Sequence, residues 1–150
     1  MNRDLLPNPC RITILVLIIL TAVSSCSRQP LYPSPPQSDE NISIDVASLQ
    51  PEVPQFYTYQ SEDKKVNFFV IRMHDKVMSF LDACVSCYPH KRGYSYRDGK
   101  VICRKCNTDF SIYKLEKGIG GCYPIKLQGR TEGGRFLIPI AAVEAEAGKF

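Results

Sequence analysis

Two cysteine pairs constrain this chain more than any other feature. Cys84 and Cys87 form one C-x-x-C unit and Cys103 and Cys106 a second, with 15 residues between them. That spacing falls in the window of four-thiolate metal sites. The physical reason is reach. A C-x-x-C turn aims two sulfurs at one point, and a hairpin between the pairs brings the second turn beside the first. Asp98-Gly99, flanked by residues 93–97 and by Val101 and Ile102, supplies a strong hairpin signal in the right place. Covalent c-type haem requires C-x-x-C-H, but Tyr88 and Asn107 follow the two pairs. A thioredoxin-like redox unit needs an α/β pattern that the chain lacks. Two readings stay open at this point: a metal site, or disulfides and redox thiols.

A further cysteine, Cys122, follows Gly120 and Gly121. Paired glycines let backbone approach a metal or cluster closely and turn N–H groups toward sulfur. Cys122 is therefore a candidate ligand or reserve ligand, with Gly120 and Gly121 as supporting backbone.

The N-terminus reads as an export address. Arg3 and Arg11 precede an apolar run over residues 12–23, the length of a signal core and short of a spanning helix. The run ends in Val23, Ser24, Ser25 and Cys26, which resembles a bacterial lipobox with Cys26 as the acylated residue. The expected organisation is a lipoprotein signal over 1–25, then a lipidated Cys26 and Pro-rich linker over 26–40. A Cys-rich domain over 41–150 completes it. The domain would sit on the extracytoplasmic side of a cell or outer membrane, in a compartment that permits disulfides. Five cysteines then remain, an odd number that complete disulfide pairing cannot absorb.

The expected fold is mostly β with little helix, in one small domain. Ile42, Ile44 and Val46 alternate with polar residues, and 55–60, 66–72, 77–81, 123–127 and 135–140 read as strands. Only 141–147 is rich in helix formers. The net charge of +4 is too small to imply nucleic acid as a partner. Residues 84–122 hold eight Lys or Arg against Asp98, Asp109 and Glu116. That excess suits an anionic thiolate centre or an acidic partner, and equally an ordinary solvated hairpin. His74 and His90 are weak ligand candidates, and Met73 and Met78 read as core fillers. No nucleophile arrangement or phosphate loop points to a hydrolase or kinase.

Taken together, Asp82-Ala83-Cys84, Cys87-Tyr88, Gly93-Tyr94, Gly99, Val101, Cys103, Cys106, Phe110, Gly120-Gly121-Cys122 and Pro124 resemble the FtrD-like membrane iron–sulfur-containing proteins. The likeness is dense over residues 66–128. Asn107 and Tyr123 depart from it, standing where Gly and Asn are expected. The resemblance implies a centre at Cys84, Cys87, Cys103 and Cys106 with Cys122 adjacent. It also implies association with a bacterial iron-uptake system, its iron permease and its periplasmic iron-binding proteins. An iron–sulfur cluster is built in the cytoplasm, whereas this export route threads an unfolded chain. The cofactor stands open between a cluster, mononuclear iron and zinc. Iron makes the site an electron carrier or iron handler, and zinc makes it a structural staple in a binding module.

Overall fold

A computed structural model describes residues 29–150. The expected signal over 1–25 and the expected lipidation site Cys26 lie outside the described residues. The described chain is mostly β, with three small antiparallel sheets. In chain order the strands are β1 (Gln37–Ser38), β2 (Asn41–Asp45), β3 (Gln55–Ser61), β4 (Lys64–Arg72), β5 (Val77–Cys84) and β6 (Tyr94–Arg97). They continue as β7 (Lys100–Cys103), β8 (Asp109–Ser111), β9 (Pro124–Leu127), β10 (Arg130–Glu132) and β11 (Arg135–Pro139). A short helix, α1 (Ile140–Glu144), follows β11.

The sheets run in the orders β1-β2-β11-β10, β3-β4-β5-β9 and β6-β7-β8. The second sheet is covered on both faces, which explains the near-continuous apolar run in β4. Val66, Phe68 and Val70 point into one core with Ile42, Ile44 and Phe136 from the first sheet. Phe69 and Ile71 point the other way, into a second core with Tyr94, Val101 and Phe110 from the third sheet. Each fully buried Phe or Ile contributes roughly 1.5–3 kcal/mol relative to exposure, so both cores matter to stability. Met73 and Met78 lie in the second core, and that core also holds Cys84 and Cys103.

The expected strands over 55–60, 66–72 and 77–81 are present as β3, β4 and β5, and the helix is shorter than its run of helix formers. Part of the segment read as a Pro-rich linker is docked on the domain. The Tyr32 ring stacks on Phe56 at 4.9 Å, and its N–H donates to Thr58 Oγ1 at 2.9 Å. Asn67 donates to the Pro30 carbonyl at 2.9 Å, and Thr58 N–H to that of Pro33 at 3.1 Å. Proline lacks an N–H but keeps its carbonyl, so this Pro-rich strap is held largely by acceptors.

Candidate metal centre

Both cysteine turns begin where a strand ends. Cys84 closes β5 and Cys103 closes β7, and each is only 2% exposed because its side chain continues the inward face of its strand. The turns then carry the second cysteine outward: Cys87 is half-buried and Cys106 exposed. In the first turn Cys87 N–H donates to the Cys84 carbonyl at 3.1 Å, and Lys91 in the left-handed region ends the knuckle. In the second, Asn107 N–H donates to the Cys103 carbonyl at 2.9 Å with φ of 58°. Asparagine tolerates that conformation in place of glycine. The hairpin between them pairs Tyr94 with Cys103, and Asp98 and Gly99 both have positive φ, as a two-residue primed turn requires. Arg104 N–H closes the gap between the knuckles on the Gly93 carbonyl at 3.0 Å.

Cys122 arrives from a different part of the chain. Ile119 and Cys122 exchange backbone hydrogen bonds of 2.8 and 3.0 Å, making a tight loop around Gly120 and Gly121. That loop is fastened to the first knuckle. Ser86 Oγ donates to the Gly121 carbonyl at 2.7 Å, and Val85 N–H donates to that of Tyr123 at 3.1 Å. The register of β5 with β9 sets Cys84 opposite Pro124. Gly121, expected as supporting backbone, ties its loop to the first knuckle through its carbonyl. Backbone N–H groups that support the thiols come from Ser86, Cys87, Lys105, Cys106 and Thr108.

All five described cysteines are free. Their sulfurs form two sets whose members lie within 4.8 Å of one another, and either set could hold a metal ion. One is Cys84, Cys87 and Cys122; the other is Cys87, Cys103 and Cys106. His74 and His90 belong to neither.

The thiols differ in acidity. Burial pushes Cys84 up, but the Ser86 N–H, the neighbouring Tyr94 hydroxyl and the Cys87 N–H outweigh it, and the thiol falls below its ordinary value. Burial also opposes ionisation of Cys106, yet the Thr108 hydroxyl and N–H bring it down to about 7. Cys87, Cys103 and Cys122 are raised, chiefly by burial and then by the neighbouring sulfurs.

One buried atom tests whether the site suits a thiolate-bound metal. The Tyr94 hydroxyl is buried with no hydrogen-bond partner among the described residues, and it lies beside Cys84. A neutral thiol is a weak acceptor, whereas a thiolate is a strong one. The orphaned O–H thus fits a Cys84 sulfur that is ionised, as a metal ligand must be. Thiolates are the donors used by iron–sulfur clusters, mononuclear iron and zinc, so the residues fit the group.

Asp82 supports the same corner. It shares the inward face of β5 with Cys84 and is fully buried. Its carboxylate accepts from Tyr94 N–H at 2.5 Å and Gln29 Nε2 at 3.3 Å, with the Tyr32 hydroxyl at 3.5 Å. Arg104 reaches that hydroxyl at 3.4 Å. Burial raises the Asp82 carboxyl to about 7 despite the Tyr94 N–H. A charge in an apolar strand and its place in the Asp82-Ala83-Cys84 motif were the sequence signals for this residue; its contacts come from the strap and from β6.

This architecture defines a class: a small, mostly β domain in which free cysteines converge between two sheets and could hold a metal ion. The chain belongs to the FtrD-like family, since residues 49–150 match the proteins described as "Membrane iron-sulfur containing protein FtrD-like". No curated protein and no solved structure matches the chain. No helix among the described residues is long and apolar enough to cross a membrane.

Proposed function

We propose that this chain is a membrane-anchored, extracytoplasmic metal–thiolate protein with iron or an iron–sulfur cluster at its cysteines, serving electron transfer or iron handling in a bacterial iron-uptake system. The observation that carries this reading is the convergence of five free thiols, drawn from β5, β7 and the 118–122 loop, on one corner of the fold. Iron bound there supplies one-electron chemistry. The chain's own residues hold the thiols together, exclude water from Cys84 and Cys103, and direct N–H and O–H groups at the sulfurs. Such groups and the nearby Arg104 and Lys105 stabilise a more negative state of the centre. The proposed partners are an iron permease and periplasmic iron-binding proteins.

The proposed anchor is an acyl chain on Cys26, following a signal over 1–25. Its support is position. Gln29, three residues further on, borders an open groove of about 950 Å³ whose lining includes Lys64, Lys65, Lys91 and Arg92. A basic face beside Gln29, with four Lys or Arg against Asp63, suits an anionic lipid surface.

The test is metal analysis and spectroscopy of the full chain recovered from its native compartment. The expected result is stoichiometric iron, visible absorption and a reversible one-electron couple. That couple should move to lower potential when Arg104 and Lys105 are both replaced by Gln. Colourless protein with zinc and no couple would overturn the redox role and leave a zinc-stapled binding module. Mass spectrometry showing an unmodified Cys26 in the membrane fraction would overturn the lipid anchor.

A further inference from the structure

A single four-thiolate ion needs four sulfurs that are all mutual neighbours, about 3.8 Å apart for metal–sulfur bonds near 2.3 Å. The five thiols are not arranged that way. No four of them lie mutually within 4.8 Å; two sets of three do, and Cys87 is their common member. Cys84 falls in one set and Cys103 with Cys106 in the other, so the two C-x-x-C pairs do not close on one point.

The two sets are also built by separate parts of the fold. The first is held by β5, β9 and the Ser86–Gly121 hydrogen bond of 2.7 Å. The second is held by β7 and Thr108, whose carbonyl accepts from Cys103 N–H at 3.0 Å and whose Oγ1 lies 3.2 Å from Cys106 Sγ. Apart from the shared Cys87, the two sets therefore rest on different elements.

Charge permits filling both. Three thiolates on one divalent ion carry −1, and five thiolates on two divalent ions also carry −1. The second ion therefore adds no uncompensated charge to the half-buried cluster.

We propose that the centre has two metal positions bridged by the Cys87 thiolate, one completed by Cys84 and Cys122 and the other by Cys103 and Cys106. The inference rests on the reading of these thiols as a metal centre. Filling both positions releases up to five thiol protons to solvent and changes no oxidation state. Three thiolates at each ion leave a fourth ligand position for a non-cysteine donor, which permits metal exchange.

The experiment uses the full chain, reduced, stripped of metal and titrated anaerobically with Co²⁺ alone. Metal per chain is counted by native mass spectrometry, and thiolate-to-cobalt absorption is followed in parallel. The expected result is two ions per chain, with the magnetic signal of the first ion diminished as the second couples to it through Cys87. Cys122→Ser should retain one ion and Cys106→Ser should retain one, each in the set left intact. These two thiols are the outlying ones, so the substitutions leave Cys84 and Cys103 in the core. One ion per chain in the unsubstituted protein, kept in full by Cys122→Ser, would overturn the two-position centre and leave a single-site metal protein. No thiolate-bound cobalt at all would overturn the metal reading itself.

Discussion

The two cysteine turns share a four-residue pattern and have different surroundings. The first, at the end of β5, belongs to the central sheet and is roofed by the 118–122 loop through Ser86 and Val85. The second, at the end of β7, belongs to a three-stranded sheet and closes on its own downstream residues Asn107 and Thr108. In both, the first cysteine is a core residue and the second faces outward. The pattern thus fixes a local turn, while the strand before it decides which sulfur is sheltered. The comparison also explains why Cys122 joins one turn: only the first lies beside β9, the strand that the Cys122 loop leads into.

The largest expected effect comes from breaking the contact between the turns. Gly93 has φ of 64°, and a Cβ there would lie 2.6 Å from the Asp82 Oδ1 and Cγ atoms. Left-handed strain and overpacking add, so Gly93→Ala should destabilise the reduced, metal-free protein by roughly 3 kcal/mol or more in urea unfolding. An unchanged midpoint would mean that the Asp82 corner does not hold the turns together.

Next come the cysteines themselves, compared without metal. Cys84→Ser and Cys103→Ser bring a hydroxyl into the second core and should each cost about 1–3 kcal/mol. Cys106→Ser, on the surface, should cost under about 0.5 kcal/mol. Equal costs at all three would erase the inside–outside distinction within each turn.

Acidity sharpens the same distinction. With the Cys106 thiol lowered to about 7, its thiolate is present above that pH and lost below it. Iodoacetamide labelling of the metal-free protein should therefore rise through pH 7 at Cys106 and lag at Cys87 and Cys103, whose thiols are raised. Peptide mapping reads the order directly, and earlier labelling of Cys87 would contradict it. Thr108→Val should move the Cys106 midpoint upward.

A modest effect belongs to the tether leading toward Cys122. Glu116 bonds Lys126 at 2.6 Å and Lys76 at 2.8 Å, and these partners bring its carboxyl down to about 2. A depressed carboxyl stabilises above its ordinary value near 4.5 and loses that contribution as pH falls toward 2. Its side chain is 37% exposed, so screening limits the loss to no more than about 1 kcal/mol. Glu116→Gln should flatten this acid limb of the stability profile, as read by thermal unfolding across pH.

Local chemistry was legible in the residues themselves. Apolar alternation marks β2, and aromatic and β-branched runs mark β3, β4 and β5, because side-chain burial follows strand period. Asp98-Gly99 specifies its hairpin through positive φ, and the C-x-x-C spacing specifies two turns. The short polar strand β10, exposed throughout, carries no such period; it pairs because the neighbouring strand offers free backbone groups.

Tertiary structure decided the rest. That the Pro-rich strap docks on β3 and β4, that Asp82 is buried under Gln29 and Tyr32, and that the thiols divide into two sets with Cys87 shared all depend on which strands lie side by side. Residues 35 positions apart, such as Ser86 and Gly121, meet through the pairing of β5 with β9. Spacing along a chain limits how far two sulfurs can be from each other, but only packing sets which of them face one another.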